Sequence, residues 1–213
     1  MPRVILLRHG ETDHNRKGIM QGKLDVPLNH HGLRQAQLVA TWLQDEQIDG
    51  VYCSNLQRAM QTAQPIADLQ GCPLHTEPCI GEMDVGQWQG LTYQQAEQQY
   101  PDLWQALMKE PMYTRRPSGE SFADVYERVI AWWQRVIEPM EEGCYCVVTH
   151  GVPVRSILAY TLDIDPVDFG LRISLKNTGI SMLEYDRAHR RWLAHCINAT
   201  CHLKARVNDS KQT

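Results

Sequence analysis

Two short apolar runs in this chain end in the same way, and this shared ending limits the available folds more than any other feature. Leu6-Leu7-Arg8-His9-Gly10 and Val147-Val148-Thr149-His150-Gly151 each place a polar residue, a histidine and a glycine directly after aliphatic residues. A short apolar run that stops at a glycine is typical of a buried strand. Because parallel strands deliver their carboxyl ends to one edge of a sheet, where ligands bind, we expect the two histidines to meet there.

Strand-like and helix-like segments alternate along the chain. In chain order, apolar spacing predicts a strand at Arg3–Arg8, a helix over 32–46, a strand at Val51–Cys53, a helix capped by Ser54, a strand at Cys146–Thr149, a helix to Leu162, and strands at Ser181–Tyr185 and Trp192–His195. Alternating strands and helices form parallel sheets covered by helices on both faces. We therefore predict an α/β fold, a three-layer αβα sandwich with a mostly parallel central sheet.

The stretch from Trp88 to Pro139 departs from this alternation. It is poor in strand-forming residues and rich in Gln, Glu and Trp, with prolines at 101, 111 and 117. Apolar residues at helical spacing predict an amphipathic helix over 122–136. Because 213 residues fit one large domain, we predict a single domain over 1–213, with a helical insertion at about 88–139 and a frayed polar tail from about Lys204.

Composition excludes several classes of protein. The formal net charge of -4 argues against a nucleic-acid binder that works through a basic face. No apolar stretch approaches the roughly 20 residues that a membrane span requires, and the apolar run Val4–Leu7 is too short for a secretory signal. We expect a cytoplasmic protein that binds neither nucleic acid nor membrane.

The cysteines do not form a recognisable disulfide or metal pattern. Seven cysteines are scattered along the chain without a C-x-x-C pair, so we expect reduced thiols. His195-Cys196 and Cys201-His202 offer four ligands of the kinds that zinc prefers. Adjacent residues of a strand point to opposite faces, so a closed tetrahedral site is awkward there. We predict no metal and no cofactor.

Charged residues near the two histidines indicate an anion site. Arg8 stands beside His9, and Arg58 lies in the first turn of the helix after the second strand, where the helix dipole already favours an anion. Glu11 and Glu82 are the acid candidates, and Glu82 is favoured because flanking glycines and apolar residues predict a tight, partly buried turn suited to a proton donor. A single histidine at such a position is better explained as a residue that ends its strand and bonds to the backbone. Two histidines at equivalent positions of two strands are harder to explain in this way.

Five motifs succeed one another along the chain. They are Arg8-His9-Gly10-Glu11-Thr12, then Asn15 with Gln21-Gly22, Asp25, Leu28 and Gly32, then the helix from Ser54 to Ala63 (S-x-L-x-R-A-x-Q-T-A), then Glu82 with Gly86 and Gly90, and last Gly119-Glu120-Ser121 with Val147 to Gly151. In this order and spacing they resemble the histidine phosphatase superfamily, in the branch that includes the cofactor-dependent phosphoglycerate mutases. The resemblance covers residues 3 to 200 and implies the phosphoglycerate mutase-like αβα fold.

The resemblance also implies a mechanism with a covalent intermediate. His9 would take up the phosphoryl group, and Glu82 would serve as acid and then base. The implied catalytic residues are His9, Glu82, His150, Arg8 and Arg58. The implied phosphate-binding residues are Arg8, Asn15, Gln21, Gly22, Arg58, His150 and Gly151.

Three positions argue for a phosphatase within this family. The mutases contact substrate through a Tyr, a Lys and an Asn at the positions held here by Val85, Tyr93 and Val152. We therefore predict a phosphatase that hydrolyses a small phosphomonoester through a phosphohistidine on His9. Phosphoglycerate mutase-type transfer is the alternative, and a catalytically inactive phosphate-binding module is a third hypothesis from a different class.

The sequence leaves three questions open. The sequence does not select the phosphomonoester, since sugar phosphates, phosphoserine, phosphoglycerates and α-ribazole phosphate all fit the family's range. Arg115 and Arg116 of the insertion either contact the substrate or form a solvated pair, which is the better expectation for two surface arginines. The sequence is compatible with a homodimer but does not require one.

Overall fold

The computed structural model describes residues 1–204, apart from the side chains of Phe169 and Leu171. The predicted tail beyond Lys204 therefore lies outside the described residues. In chain order the strands and helices are β1 (Arg3–Arg8), α1 (Asp13–Lys17), α2 (His30–Trp42), β2 (Gly50–Cys53), α3 (Gln57–Gln70), β3 (Leu74–Thr76), α4 (Tyr93–Gln99), α5 (Pro101–Lys109), α6 (Phe122–Val136), β4 (Cys144–Thr149), α7 (Gly151–Thr161), α8 (Pro166–Arg172), β5 (Ile180–Asp186) and β6 (Arg191–Ala199).

The described strands form one mixed sheet in the order β3-β2-β4-β1-β5-β6. The first four run parallel to one another, while β5 is antiparallel to β1 and β6 is antiparallel to β5. The register of β1 and β4 pairs Arg8 with Thr149. Because both strands end at this pair, His9 and His150 leave the sheet side by side.

Helices cover both faces of the sheet. Successive residues of β1 point to opposite faces, so Val4 and Leu6 pack in one apolar cluster with residues of α6 and α7. Ile5 and Leu7 pack in a second cluster with residues of α2 and α3. All four β1 side chains are at most 1% exposed, which confirms the predicted three-layer α/β architecture.

Each predicted strand and helix is present in the structure, and two details differ. The helix after β2 begins at Gln57 with Leu56 as its N-cap and has no side-chain cap, so the prediction that Ser54 caps it is wrong. The segment 88–139 contains α4, α5 and α6, and the helical run is broken before Pro101, which begins α5. The sequence does not predict strand β3 or helices α1 and α8, because an element of seven residues or fewer shows no clear apolar periodicity.

The candidate zinc ligands are used elsewhere in the structure. His195 Nε2 lies 2.8 Å from the Glu184 carboxylate on the surface, and Cys196 Sγ lies 3.7 Å from the Ile180 carbonyl. Within residues 1–204, no group of three or more His, Cys, Asp or Glu side chains could hold a metal ion, and all seven cysteines are free. None of the helices in that range is both long and apolar enough to cross a bilayer.

His202 is a buried histidine that the fold keeps neutral. Its ring is 1% exposed, and Nε2 lies 3.0 Å from Thr178 Oγ1. Because the Thr178 hydroxyl donates to the Asn177 carbonyl, Nε2 carries the ring proton and Nδ1 is buried without a partner among the described residues. A second proton would have to enter that unpartnered position, so burial lowers the pKa of His202 to about 4.

We expect His202 to make folding stability depend on pH. The unfolded chain takes up a proton near pH 6.5 and the folded chain only near 4, so the stabilising difference is present above pH 6.5 and is lost as pH falls towards 4. His202→Gln keeps an N–H donor for Thr178 but does not titrate. Urea unfolding at pH 7 and 4.5 should show that this variant loses less stability than the wild type, by on the order of 2 kcal/mol. The control variant His30→Gln, changed at an exposed histidine, should lose as much folding stability between the two pH values as the wild type. An equal loss of stability in all three proteins contradicts the prediction.

Candidate active site

Two buried imidazole rings lie side by side at the carboxyl edge of β1 and β4, and one of them, His9, lines a cleft there. The ring centroids of His9 and His150 are 5.1 Å apart, with an angle of 59° between the ring planes. His9 is 2% exposed and His150 is 0% exposed. The predicted meeting of the two histidines is therefore confirmed.

His9 is arranged as a neutral ring with one free nitrogen. Its Nδ1 lies 2.6 Å from the Gly10 carbonyl oxygen, and a carbonyl only accepts, so Nδ1 carries the proton and Nε2 keeps its lone pair. Burial lowers the pKa of His9 well below its ordinary value, and the positive charges of Arg8 and Arg58 lower it further. Near neutral pH the ring is therefore an uncharged nucleophile.

His150 is bonded to the loop after β2 through Ser54. Its Nε2 lies 2.8 Å from Ser54 Oγ, which itself accepts from the Leu56 N–H at 3.3 Å. The Nδ1 of His150 is buried and has no partner within residues 1–204. Burial lowers the pKa of His150 well below its usual value, and the charge of Arg58 adds to this effect.

Backbone carbonyls hold the two arginines. Arg58 is 0% exposed and donates to the Leu24 carbonyl at 2.7 Å and the Gly22 carbonyl at 2.9 Å. Arg8 donates to the Leu175 carbonyl at 2.7 Å. The Nε of each is buried without a partner in the described part of the chain. Burial lowers the pKa of Arg58 to about 10, so it remains charged at neutral pH, and its remaining N–H groups can bind an anion.

Glu82 lies at the N-terminus of α7. Its carboxylate accepts from the backbone N–H groups of Met83 at 2.9 Å, Gly151 at 3.0 Å and Val152 at 3.3 Å. Gly151, which the family resemblance implies as a phosphate-binding residue, thus directs its N–H to the acid in this structure. The other acid candidate, Glu11, accepts from Asn29 Nδ2 at 2.8 Å and does not line the cleft.

The remaining predicted residues lie around the same cleft. Asn15 lines it, and its Oδ1 accepts from the Thr12 N–H at 3.1 Å and from Asn177 Nδ2 at 3.3 Å. Gln21 is buried and accepts from the Thr12 hydroxyl at 2.9 Å. Gly22 has a φ of 51°, a conformation that favours glycine, and its carbonyl holds Arg58.

The cleft has a volume of about 300 Å³, enough for a small metabolite. Its apolar and aromatic wall comprises Ile19, Met20, Met83, Val85, Trp88, Tyr93, Leu107 and Val152. Arg116 also lines it, whereas Arg115 points outwards and pairs with Asp124 at 2.6 Å. The expectation of a solvated pair is therefore wrong for Arg116.

Several contributing residues were not identified from the sequence. Ser54 was interpreted as a helix cap, although it opens the motif that contains Arg58. Asn177 donates to the carbonyls of His9 at 2.9 Å and Gly10 at 3.1 Å, and no motif marks it. Gly10 itself is required by packing, since a Cβ there would lie 2.8 Å from the Gly32 carbonyl oxygen.

A model of the histidine phosphatase superfamily (branch 1) matches residues 4–198 of the chain. The chain belongs to the histidine phosphatase superfamily. Phosphoserine phosphatase 1 of Hydrogenobacter thermophilus is 33% identical over 203 residues, which are 95% of each chain. Phosphoglycerate mutase-like protein 4 of Arabidopsis thaliana is 39% identical over 157 residues, which are 72% of this chain and 68% of that protein.

The structure agrees with this assignment to the superfamily. A crystal structure of a phosphoserine phosphatase mutant from Entamoeba histolytica, in complex with phosphoserine, matches with a TM-score of 0.85 and 26% identity, covering 95% of this chain and 100% of that one. The prediction of a phosphoglycerate mutase-like fold is confirmed. This member of the histidine phosphatase superfamily is a phosphatase, as predicted.

Proposed function

We propose that this phosphatase hydrolyses a small phosphomonoester through a phosphoryl group carried on Nε2 of His9. The observation that carries the proposal is the state of the His9 ring: Nδ1 is bonded to the Gly10 carbonyl, and Nε2 has a free lone pair in the cleft. Two guanidinium groups, Arg8 and Arg58, line the same cleft. A neutral nucleophile beside fixed positive charge is the arrangement that phosphoryl transfer requires.

The reaction runs in two displacements. In the first, His9 Nε2 attacks phosphorus, the P–O bond to the leaving group breaks, and the Glu82 carboxyl gives its proton to the departing oxygen. In the second, Glu82 takes a proton from a water molecule that attacks phosphorus, and the P–N bond breaks. Arg8, Arg58 and His150 hold the equatorial oxygens in both transition states.

The wall of the cleft favours a leaving group that carries its own negative charge. Arg116 lines the cleft, and the only hydrogen bond of its guanidinium group within residues 1–204 goes to the Thr114 carbonyl at 3.0 Å. No carboxylate of the described chain forms an ion pair with it. Since the phosphate is bound by Arg8 and Arg58, we assign Arg116 to a carboxylate on the leaving group, as in phosphoserine or 3-phosphoglycerate.

A substrate panel with a matched pair of variants tests this assignment. Phosphoserine and 3-phosphoglycerate should be hydrolysed with a kcat/KM at least about 10-fold above that of glycerol 3-phosphate, which lacks the carboxylate. Arg116→Gln should remove this preference while leaving glycerol 3-phosphate within about 3-fold of the wild type. Arg115→Gln, which removes the neighbouring outward-facing charge, should keep the preference. Equal losses on all substrates in Arg116→Gln contradict the assignment.

The mutase alternative is disfavoured by the residues of the cleft wall. Val85, Tyr93 and Val152, at the positions where the mutases have polar contacts, all line the cleft. Two of the three offer no hydrogen bond through their side chains to retain a phosphoglycerate. With 3-phosphoglycerate as substrate and 2,3-bisphosphoglycerate added, the enzyme should release inorganic phosphate. If 2-phosphoglycerate forms faster than phosphate is released, the phosphatase proposal is contradicted.

A further inference from the structure

Arg128 binds the loop that carries Glu82 from outside the cleft. It lies on α6, and its guanidinium NH1 donates to the carbonyls of Cys79 at 2.7 Å and Gly81 at 2.9 Å. NH2 donates to the Glu82 carbonyl at 3.1 Å. This one side chain therefore binds three backbone carbonyls of the loop that carries the acid.

Glu120 completes the contacts of Arg128. Arg128 Nε donates to Glu120 Oε1 at 2.9 Å, and NH2 donates to Oε2 at 3.0 Å. A guanidinium group has five N–H donors, and the five bonds use all of them. The two side chains are 21% and 22% exposed, so this ion pair is shielded from solvent far more than a surface pair.

Glu120 also holds the far side of the loop. Its Oε2 accepts from the Asp84 N–H at 2.7 Å, and its own N–H donates to the Asp84 carbonyl at 2.8 Å. Arg128 and Glu120 thus fix the backbone on both sides of Glu82. The Glu82 carboxylate itself is held only by backbone N–H groups within residues 1–204, so its position depends on the backbone of this loop.

We propose that Arg128 and Glu120 are positioning residues that set the distance between the Glu82 carboxyl group and the leaving-group oxygen. This inference rests on the proposed role of Glu82 as the proton donor. Proton transfer requires the donor within hydrogen-bond reach, and a displacement of about 1 Å can cost ~10²-fold in rate. The pair acts through Glu82 and does not touch the substrate.

The proposal separates substrates by their leaving groups. p-Nitrophenolate leaves without a proton, whereas an alkoxide must be protonated as it departs. In kcat/KM, which reports the steps up to leaving-group departure, Arg128→Gln should lose on the order of 10- to 100-fold with the best alkyl phosphate of the panel. With p-nitrophenyl phosphate it should lose less than about 3-fold. Arg128→Lys keeps the charge but cannot reach three carbonyls, so it should show the same selectivity.

Controls separate this inference from the function on which it rests. Arg115→Gln, which removes another arginine of the insertion, should leave both substrates unchanged. Glu82→Gln should show the full leaving-group selectivity; if it does not, the proposed role of Glu82 fails. If Glu82→Gln is selective and the Arg128 variants lose activity equally on both substrates, Arg128 has only a structural role and the inference is overturned. Should Arg128→Gln fail to fold in a thermal melt, Glu120→Gln and Arg128→Lys provide the same comparison.

Discussion

His9→Ala is expected to abolish turnover, lowering kcat/KM for p-nitrophenyl phosphate by about 10⁴-fold or more. Among the described residues, His9 is the one histidine that lines the cleft, and His150 is bonded to Ser54 through Nε2. Water would then have to attack the phosphate directly. The measurement is initial-rate kinetics on the purified variant, with a thermal melt to show that it folds.

A trapping experiment tests directly whether His9 carries the phosphoryl group, without a measurement of turnover. Wild-type protein mixed with a ³²P-labelled substrate and denatured in alkali should retain a label that acid removes, as expected for phosphorus bonded to nitrogen. His9→Ala should retain none. His75→Ala, a change at an exposed histidine, should label like the wild type. Labelling that survives in His9→Ala would place the nucleophile elsewhere in the chain.

The centre of the site could be predicted from the sequence because it depends on strand geometry. Two apolar runs with the same ending predict two parallel strands that finish at one edge, and the pairing of Arg8 with Thr149 brings the next residues, the two histidines, together. Parallel strands confine the residues after their carboxyl ends to this one edge of the sheet. The three-layer fold could be predicted from the alternation of strands and helices along the chain, and β1, which is apolar at every position between its two arginines, fits a strand covered on both faces.

The support of the site could not be predicted from the sequence, because backbone groups provide most of it. Arg8 is held by the Leu175 carbonyl, 167 residues away in the chain, and Arg58 by the Gly22 and Leu24 carbonyls. Every residue has a carbonyl, so no residue type marks the one that will be used. Arg128 illustrates the same difficulty, since three of its five acceptors are carbonyls and its side chain lies outside the cleft.

The cationic residues should matter more than the acid when the leaving group is good. Uncatalysed hydrolysis of a phosphate monoester can require up to ~10²¹ in rate, about 29 kcal/mol, whereas general acid catalysis supplies about 3 to 5 kcal/mol. Most of the remainder must come from the nucleophile and the fixed positive charge. We therefore expect Arg58→Ala to lower kcat/KM for p-nitrophenyl phosphate by about 10²- to 10³-fold, at least as much as Glu82→Gln.

A second readout distinguishes loss of the charge from damage to the fold. Arg58 is one of the charges that lower the pKa of His9, so its removal should raise that pKa towards 6.5. Protonated His9 cannot attack, so the acid limb of the kcat/KM profile should move to higher pH in Arg58→Ala. Arg58→Lys keeps the charge and should keep the limb near its wild-type position, although a lysine cannot satisfy both the Gly22 and Leu24 carbonyls and binds phosphate through fewer donors. An Arg58→Ala protein that folds, turns over p-nitrophenyl phosphate at nearly the wild-type rate and keeps the wild-type acid limb would show that Arg58 does not act on the phosphoryl group.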